Sequence, residues 1–210
     1  LGSRQKQQEL CNAAQAVGKP GTCHWWLSSV TAEEATDGMK QFSSQSLSNL
    51  AWAFAKSYFE HVPLMEAIAA ASLSRLTEEM QQEGVEGNSF GPLELSSISW
   101  SFSRLALPHL PLMKAIAAAS MAKLTACQPP HLAAIASAFA RLLLPDEPLL
   151  EAISAEAINT IGHFWPSDLA HLAWAKSRLG FTDLPLLDAI ASSSLTRLRE
   201  FSPLHLSNNG

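Results

Sequence analysis

The sequence predicts an all-α fold, an α-solenoid of paired antiparallel helices with about 37 residues per repeat. Three observations predict it. Phe90, Cys127, Phe164 and Phe201 stand 37 residues apart, and Phe42 precedes Phe90 by 48, so that the earliest copy carries 11 extra residues. Offsets counted from these opening positions repeat in chemistry: leucine at offset 5 (Leu47, Leu95, Leu132, Leu169, Leu206), leucine or isoleucine at offset 8 (Leu50, Ile98, Ile135, Leu172), tryptophan or serine at offset 10 (Trp52, Trp100, Ser137, Trp174) and proline at offset 21 (Pro63, Pro111, Pro148, Pro185). The chain is 47% hydrophobic and only 16% charged, which suits closely packed helices rather than disorder. A fixed period of this size marks units that cannot bury an apolar face alone and stack on their neighbours.

The organisation follows in chain order. Residues 1–41 form an irregular helical segment, read as a degenerate repeat or an adaptor. Arg4 to Val17 fits one helix ended by Gly18-Lys19-Pro20-Gly21, and Thr31-Ala32-Glu33-Glu34 resembles a capping box that starts another. Four helical hairpins are expected over 42–89, 90–126, 127–163 and 164–200, with the start of a fifth after Phe201. The first helix of each spans Gln45 to Ser57, Leu93 to Leu105, Pro130 to Leu142 and Ser167 to Leu179. Pro92, Pro129, Pro166 and Pro203, two residues after the opening position, suit a first turn, where a missing N–H costs little. The second helices begin at Pro63, Pro111, Pro148 and Pro185, with Glu66, Glu151 and Asp188 expected in first turns near the positive end of the dipole. The extra residues near Glu78 to Asn88 read as a helix extension and a solvated loop. Because Leu1 is not methionine and the fifth copy breaks off at Gly210, the sequence reads as an interior piece of a longer chain.

A wheel at 100° per residue places Leu47, Leu50, Ala51 and Phe54 on one core face of the first helix. Leu95, Ile98, Ser99 and Phe102 repeat it, as do Leu132, Ile135, Ala136 and Phe139; the last copy has Lys176 where phenylalanine is expected. A second stripe, at offsets 4, 7, 11 and 14, is expected opposite that core. It reads Ser46, Asn49, Ala53, Lys56; Glu94, Ser97, Ser101, Arg104; His131, Ala134, Ala138, Arg141; and Asp168, His171, Ala175, Arg178. Its last member is always basic. A charge at one constant place per repeat suits a phosphate backbone, the variable polar positions Asn49, Ser97 and His171 suit base edges, and Trp52, Trp100 and Trp174 beside the stripe suit stacking or partner contact. The plainer reading stands beside it. A helix C-terminus favours a basic residue by its dipole alone, and a repeated tryptophan packs repeats together.

Other functions find little support. The net charge of −5 and pI near 5.8 argue against a protein that coats nucleic acid indiscriminately. Cys11, Cys23 and Cys127 are three in number without a CxxC, so neither a disulfide framework nor a structural zinc site is expected, and a reducing compartment is. His131, His171 and His205 fall about one repeat apart; helices stacked roughly 10 Å apart hold them too far apart for metal bonds near 2 Å. No catalytic residues, metal, cofactor or small-molecule substrate are expected, and no stretch is long and apolar enough to span a membrane.

The segment Phe42-Ser-Ser-Gln-Ser-Leu-Ser-Asn-Leu-Ala-Trp-Ala-Phe-Ala-Lys56 with Pro63-Leu-Met-Glu-Ala-Ile-Ala, and Phe164-Trp-Pro-Ser-Asp-Leu-Ala-His-Leu-Ala-Trp-Ala-Lys-Ser-Arg-Leu179, resemble the octotricopeptide repeat and the related repeats upstream of RAP domains. The resemblance covers Phe42 onward. It implies a paired-helix solenoid from an organelle, the chloroplast ahead of the mitochondrion, acting on organellar RNA. Ser137, Cys127 and Lys176 depart from the pattern and place the RNA contacts of the last two copies in doubt. Two functions are therefore carried forward. One is binding of single-stranded RNA along the first helices. The other is a non-catalytic scaffold or accessory subunit of a ribosome, photosynthetic complex or respiratory complex, touching membranes only through partners.

Overall fold

The structure is a computed structural model that describes residues 39–81 and 89–196. The helices expected before residue 39, together with Trp25, Trp26, Cys11 and Cys23, lie outside the described residues, as do the loop expected over 82–88 and the fifth copy with Phe201 and His205. Eight α-helices and no strands occur among the described residues. First helices are α1 (Ser44–Lys56), α3 (Pro92–Arg104), α5 (Pro129–Arg141) and α7 (Pro166–Arg178); second helices are α2 (Val62–Gln81), α4 (Leu110–Ala122), α6 (Glu147–Asn159) and α8 (Leu184–Thr196). Each first helix packs on the next first helix, each second helix on the next second helix, and each pair packs within itself. This is the layered stacking of a helical solenoid.

The first-helix layer is the tighter one, and its sequence explains why. Offsets 6, 9, 11 and 13 carry only alanine or serine (Ser48, Ala51, Ala53 and Ala55 in α1, for example), and nearly all are buried. Small side chains let backbones approach. The serines that replace alanine in α3 satisfy themselves locally: the Ser96, Ser99, Ser101 and Ser103 hydroxyls donate to the carbonyls of Leu93, Ser96, Ser97 and Trp100. Burial of such a hydroxyl is tolerated because its hydrogen bond stays within its own helix.

Offset 11 corrects the wheel. Ala53, Ser101, Ala138 and Ala175 do not lie on an open face; all four are buried. A first helix in the middle of the layer touches the helix before it, the helix after it and its own second helix, so its core-facing arc is far wider than a single amphipathic stripe.

The helix ends follow one scheme. Pro92, Pro129 and Pro166 are the first residues of α3, α5 and α7. Each first helix closes in a Schellman motif. In α1, Phe59 N–H donates to Phe54 C=O and Tyr58 N–H to Ala55 C=O; the pairs Leu107–Phe102 and Ala106–Ser103, Leu144–Phe139 and Leu143–Ala140, and Phe181–Lys176 and Gly180–Ser177 repeat it. The motif needs a left-handed residue, and Tyr58, Ala106, Leu143 and Gly180 have φ of 53°, 53°, 54° and 75°. Second helices start one residue before the proline at offset 21, so Glu66, Glu151 and Asp188 fall past the first turn, contrary to expectation; only Glu147 lies in one. Their N-termini are capped instead from offset 19, by His61, His109, Asp146 and Asp183.

The insertion is anchored at both ends. α2 has 20 residues where the other second helices have 13. On its extension, Glu79 accepts the Phe90 N–H at 3.1 Å. Lys123 pairs with Glu79 and donates to the Phe90 carbonyl at 2.6 Å. Glu79 thus tethers the helix extension to the start of the next copy.

Candidate functional site

The basic residues Lys56, Arg104, Arg141 and Arg178 are the last residues of the four first helices. Because those helices stack side by side in one layer, the four occupy one edge, where the chain turns from first to second helix. Lys56, Arg141 and Arg178 are exposed and Arg104 is half-buried. None of the four second helices carries a basic residue in its last turn.

Aromatic rings hold most of these cations. Lys56 Nζ lies 4.5 Å from the centroid of Trp52, one turn earlier on the same helix. Arg104 lies 5.0 Å from Trp100 and 4.2 Å from Tyr58 of the preceding copy. It also donates from Nε to the Ala55 carbonyl at 3.3 Å and bonds the Tyr58 hydroxyl. Arg141 has Ser137 in place of a tryptophan on its own helix and lies 6.0 Å from Trp174 of the next copy. Arg178 makes no hydrogen bond, ion pair or ring contact among the described residues. Trp52, Trp100 and Trp174 are each half-buried against the core. Their accessible faces therefore seat cations, each interaction worth about 0.5–1 kcal/mol at an exposed site.

The polar positions are less uniform. Asn49 and Ser97 are half-buried and His171 is exposed. They sit two helical turns before the cations, about 10 Å along the axis at 1.5 Å per residue. The first stripe member serves the helix N-terminus instead: His131 Nδ1 accepts the Gln128 N–H at 3.2 Å and Asp168 accepts the Trp165 N–H at 3.3 Å. Burial, opposed by the Glu94 carboxylate, holds the His131 imidazole below its ordinary 6.5.

Lys176, the departure in the last copy, points into the core with only 4% of its surface exposed. It pairs with Asp183 Oδ2 at 3.1 Å and lies over Phe181. The one described cysteine, Cys127, is buried and unpaired, and burial, reinforced by Glu156, pushes its thiol up. Among the described residues no three histidines, cysteines or carboxylates come together as a metal site. No helix among them is long and apolar enough to cross a membrane.

Large apolar side chains are exposed along the same turn edge, with Tyr58, Val62, Leu110, Leu143 and Leu184 among them, and Trp165 is 66% exposed at the other end of α7. No protein-family model matches the chain, and no curated protein matches it either.

Proposed function

We propose that the chain binds single-stranded RNA along the edge formed by its first helices, with Lys56, Arg104, Arg141 and Arg178 taking one phosphate each. One observation carries this reading: among the described residues, a basic residue is the last residue of every first helix and of no second helix. The helix dipole acts on both kinds of helix, and Lys123 follows α4 as its C-cap, so the constant position of the four cations, rather than the dipole, supports RNA binding. Asn49, Ser97 and His171 lie on the same helices, toward their N-terminal ends, and are assigned to bases. The tryptophans are assigned to orienting the cations. The organellar setting, chloroplast before mitochondrion, rests on the resemblance to octotricopeptide repeats.

The test is titration of a fluorescent single strand against the chain and against the quadruple variant Lys56→Gln, Arg104→Gln, Arg141→Gln, Arg178→Gln at several salt concentrations. Each lost phosphate contact removes about 0.7 from the log–log salt slope, so the variant should lose about 3. Circular dichroism checks that the helices persist. No binding by the parent chain at low salt, or an unchanged slope in the variant, ends the RNA reading.

A second reading has its own observation. The exposed Tyr58, Leu110, Leu143, Leu184 and Trp165 are the kind of apolar anchors that protein interfaces use, which fits an accessory subunit or scaffold of a large organellar complex. Changing Trp165→Ala and Leu143→Ala would then release the chain from that complex, while the quadruple variant would leave assembly intact.

A further inference from the structure

Side-chain caps on the helix N-termini change along the array: α1 is capped by Ser43 and α3 has no side-chain cap, and among the others histidine gives way to aspartate. Leu64 N–H donates to His61 Nδ1 at 3.1 Å, Leu112 N–H to His109 Nδ1 at 3.1 Å, and Gln128 N–H to His131 Nδ1 at 3.2 Å. Further along, Leu149 N–H donates to Asp146 Oδ1 at 3.2 Å, Trp165 N–H to Asp168 Oδ2 at 3.3 Å, and Leu186 N–H to Asp183 Oδ1 at 3.1 Å. So α2, α4 and α5 are capped by histidine, and α6, α7 and α8 by aspartate. The two sets do not mix along the chain.

A neutral imidazole accepts at Nδ1 only with its proton on Nε2, and a doubly protonated ring accepts nothing. Protonation also sets a positive charge at the positive end of a helix dipole. An aspartate keeps accepting far below the pH at which imidazoles gain their second proton. We propose that the array carries an acid-sensitive half: protonation of His61, His109 and His131 uncaps α2, α4 and α5 while α6, α7 and α8 stay capped.

The groups facing each ring grade the response. Glu66 of α2 lies 3.7 Å from His109 Nε2 and gains from the charged ring, so α4 is partly compensated. Glu94 of α3 faces His131 but is outweighed there by burial. His61 has the Phe59 ring at 6.2 Å and makes no ion pair among the described residues. On the aspartate side, Asp183 is held by Lys176 of α7 and the Ser154 hydroxyl of α6. The turn that ends at His61 also carries Tyr58, which holds Arg104, so acid loosens the part of the edge that fixes this cation.

Amide exchange of the full chain by NMR, corrected for intrinsic rates, tests this without any variant. Between pH 7.5 and 5.5 the protection of the Leu64, Leu112 and Gln128 amides should fall relative to Leu149, Trp165 and Leu186, by up to about five- to tenfold, the loss expected for a side-chain cap, and less at Leu112, where Glu66 faces the ring. His61→Asn, His109→Asn and His131→Asn, made singly, keep an oxygen acceptor at both pH values and should each abolish the response at their own amide alone. An equal fall in both sets, no fall in the histidine set, or a response that survives the asparagine change overturns the proposal.

Discussion

Lys176 offers the sharpest test of how this array is held together. Its ammonium is buried where the other copies place Phe54, Phe102 and Phe139, and it is neutralised by Asp183 at 3.1 Å. Asp183 also caps α8 through Leu186 N–H. The third copy separates these duties, since Asp146 caps α6 beside an apolar Phe139. Lys176→Phe would give the fourth copy that arrangement, with a phenyl ring against Phe181 as Phe54 lies 5.7 Å from Phe59 in the first. Removing one partner normally costs free energy, but here the remaining Asp183 carboxylate is 19% exposed and still accepts the Leu186 N–H. The loss is offset by the apolar packing gained, and a change within about 1 kcal/mol is expected. Asp183→Ala is not its mirror image, because it leaves a buried cation unpaired. Removing one partner of a buried pair costs about 3–5 kcal/mol. The Asp183 side chain is 19% exposed, which lowers the figure to about 2–3 kcal/mol by solvent screening, and the lost cap adds about 1 kcal/mol. Asp146→Ala loses only its cap, about 1 kcal/mol. Urea unfolding of the three variants decides the matter. If Asp183→Ala costs no more than Asp146→Ala, or if Lys176→Phe destabilises by more than about 1 kcal/mol, the ion-pair reasoning is refuted.

Other consequences are as direct. Ala106 holds a left-handed φ of 53° where the fourth copy uses Gly180; Ala106→Gly should raise stability by about 0.5–1 kcal/mol, the strain relieved less the entropy of glycine, and a lower urea midpoint would contradict this. The fully buried Ser120 hydroxyl has no hydrogen-bond partner and Ala157 fills the same offset. Ser120→Ala should therefore stabilise by about 0.5–1 kcal/mol, seen as a higher melting temperature. Arg104→Gln should cost about 1–2 kcal/mol through its two ring contacts and its hydrogen bonds, whereas Arg178→Gln should stay within about 0.5 kcal/mol; equal losses would mean that the four cations share one structural role. Stability should also fall on acidification in two windows. His131 is held below 6.5, chiefly by burial, so the unfolded chain binds its proton first and stability drops as pH passes downward through and below 6.5. Asp183, where burial is outweighed by the Ser154, Leu186 and Lys176 contacts, is held below 3.8; its contribution is complete above that value and disappears beneath it. A urea midpoint flat from pH 7.5 to 3 contradicts both.

The periodic part of the fold was legible because each signal there had one cause. Leucine at offset 5, isoleucine or leucine at offset 8 and proline at the first turn mean the same thing in every copy, and Leu132, Ile135 and Pro129 sit as expected. What stayed hidden had ambiguous carriers. A left-handed helix terminus is announced by Gly180 but not by Tyr58, Ala106 or Leu143, which adopt it while completing the same helix-end hydrogen bonds. The caps at offset 19 were masked because Glu66, Glu151 and Asp188 offered a dipole explanation one turn too late, and histidine is an uncommon cap. Burial at offset 11 escaped because a helical wheel assumes one core, while a helix inside a layer has three neighbours. Lys176 read as a departure, and only the position of Asp183 shows that it is a paired one.

If the basic residues served only to hold copies together, their contacts would be alike, since the helices that present them stack alike. They are not alike. Arg104 is turned back onto Tyr58 and Ala55, Lys56 stays over its own Trp52, Arg141 reaches forward to Trp174, and Arg178 touches no hydrogen-bond, ionic or ring partner among the described residues. The constant feature is the position of the charge, and the contacts that steady it differ from copy to copy. The proposed RNA contact and the helix dipole both act at every copy, and the salt slope of the quadruple variant separates them.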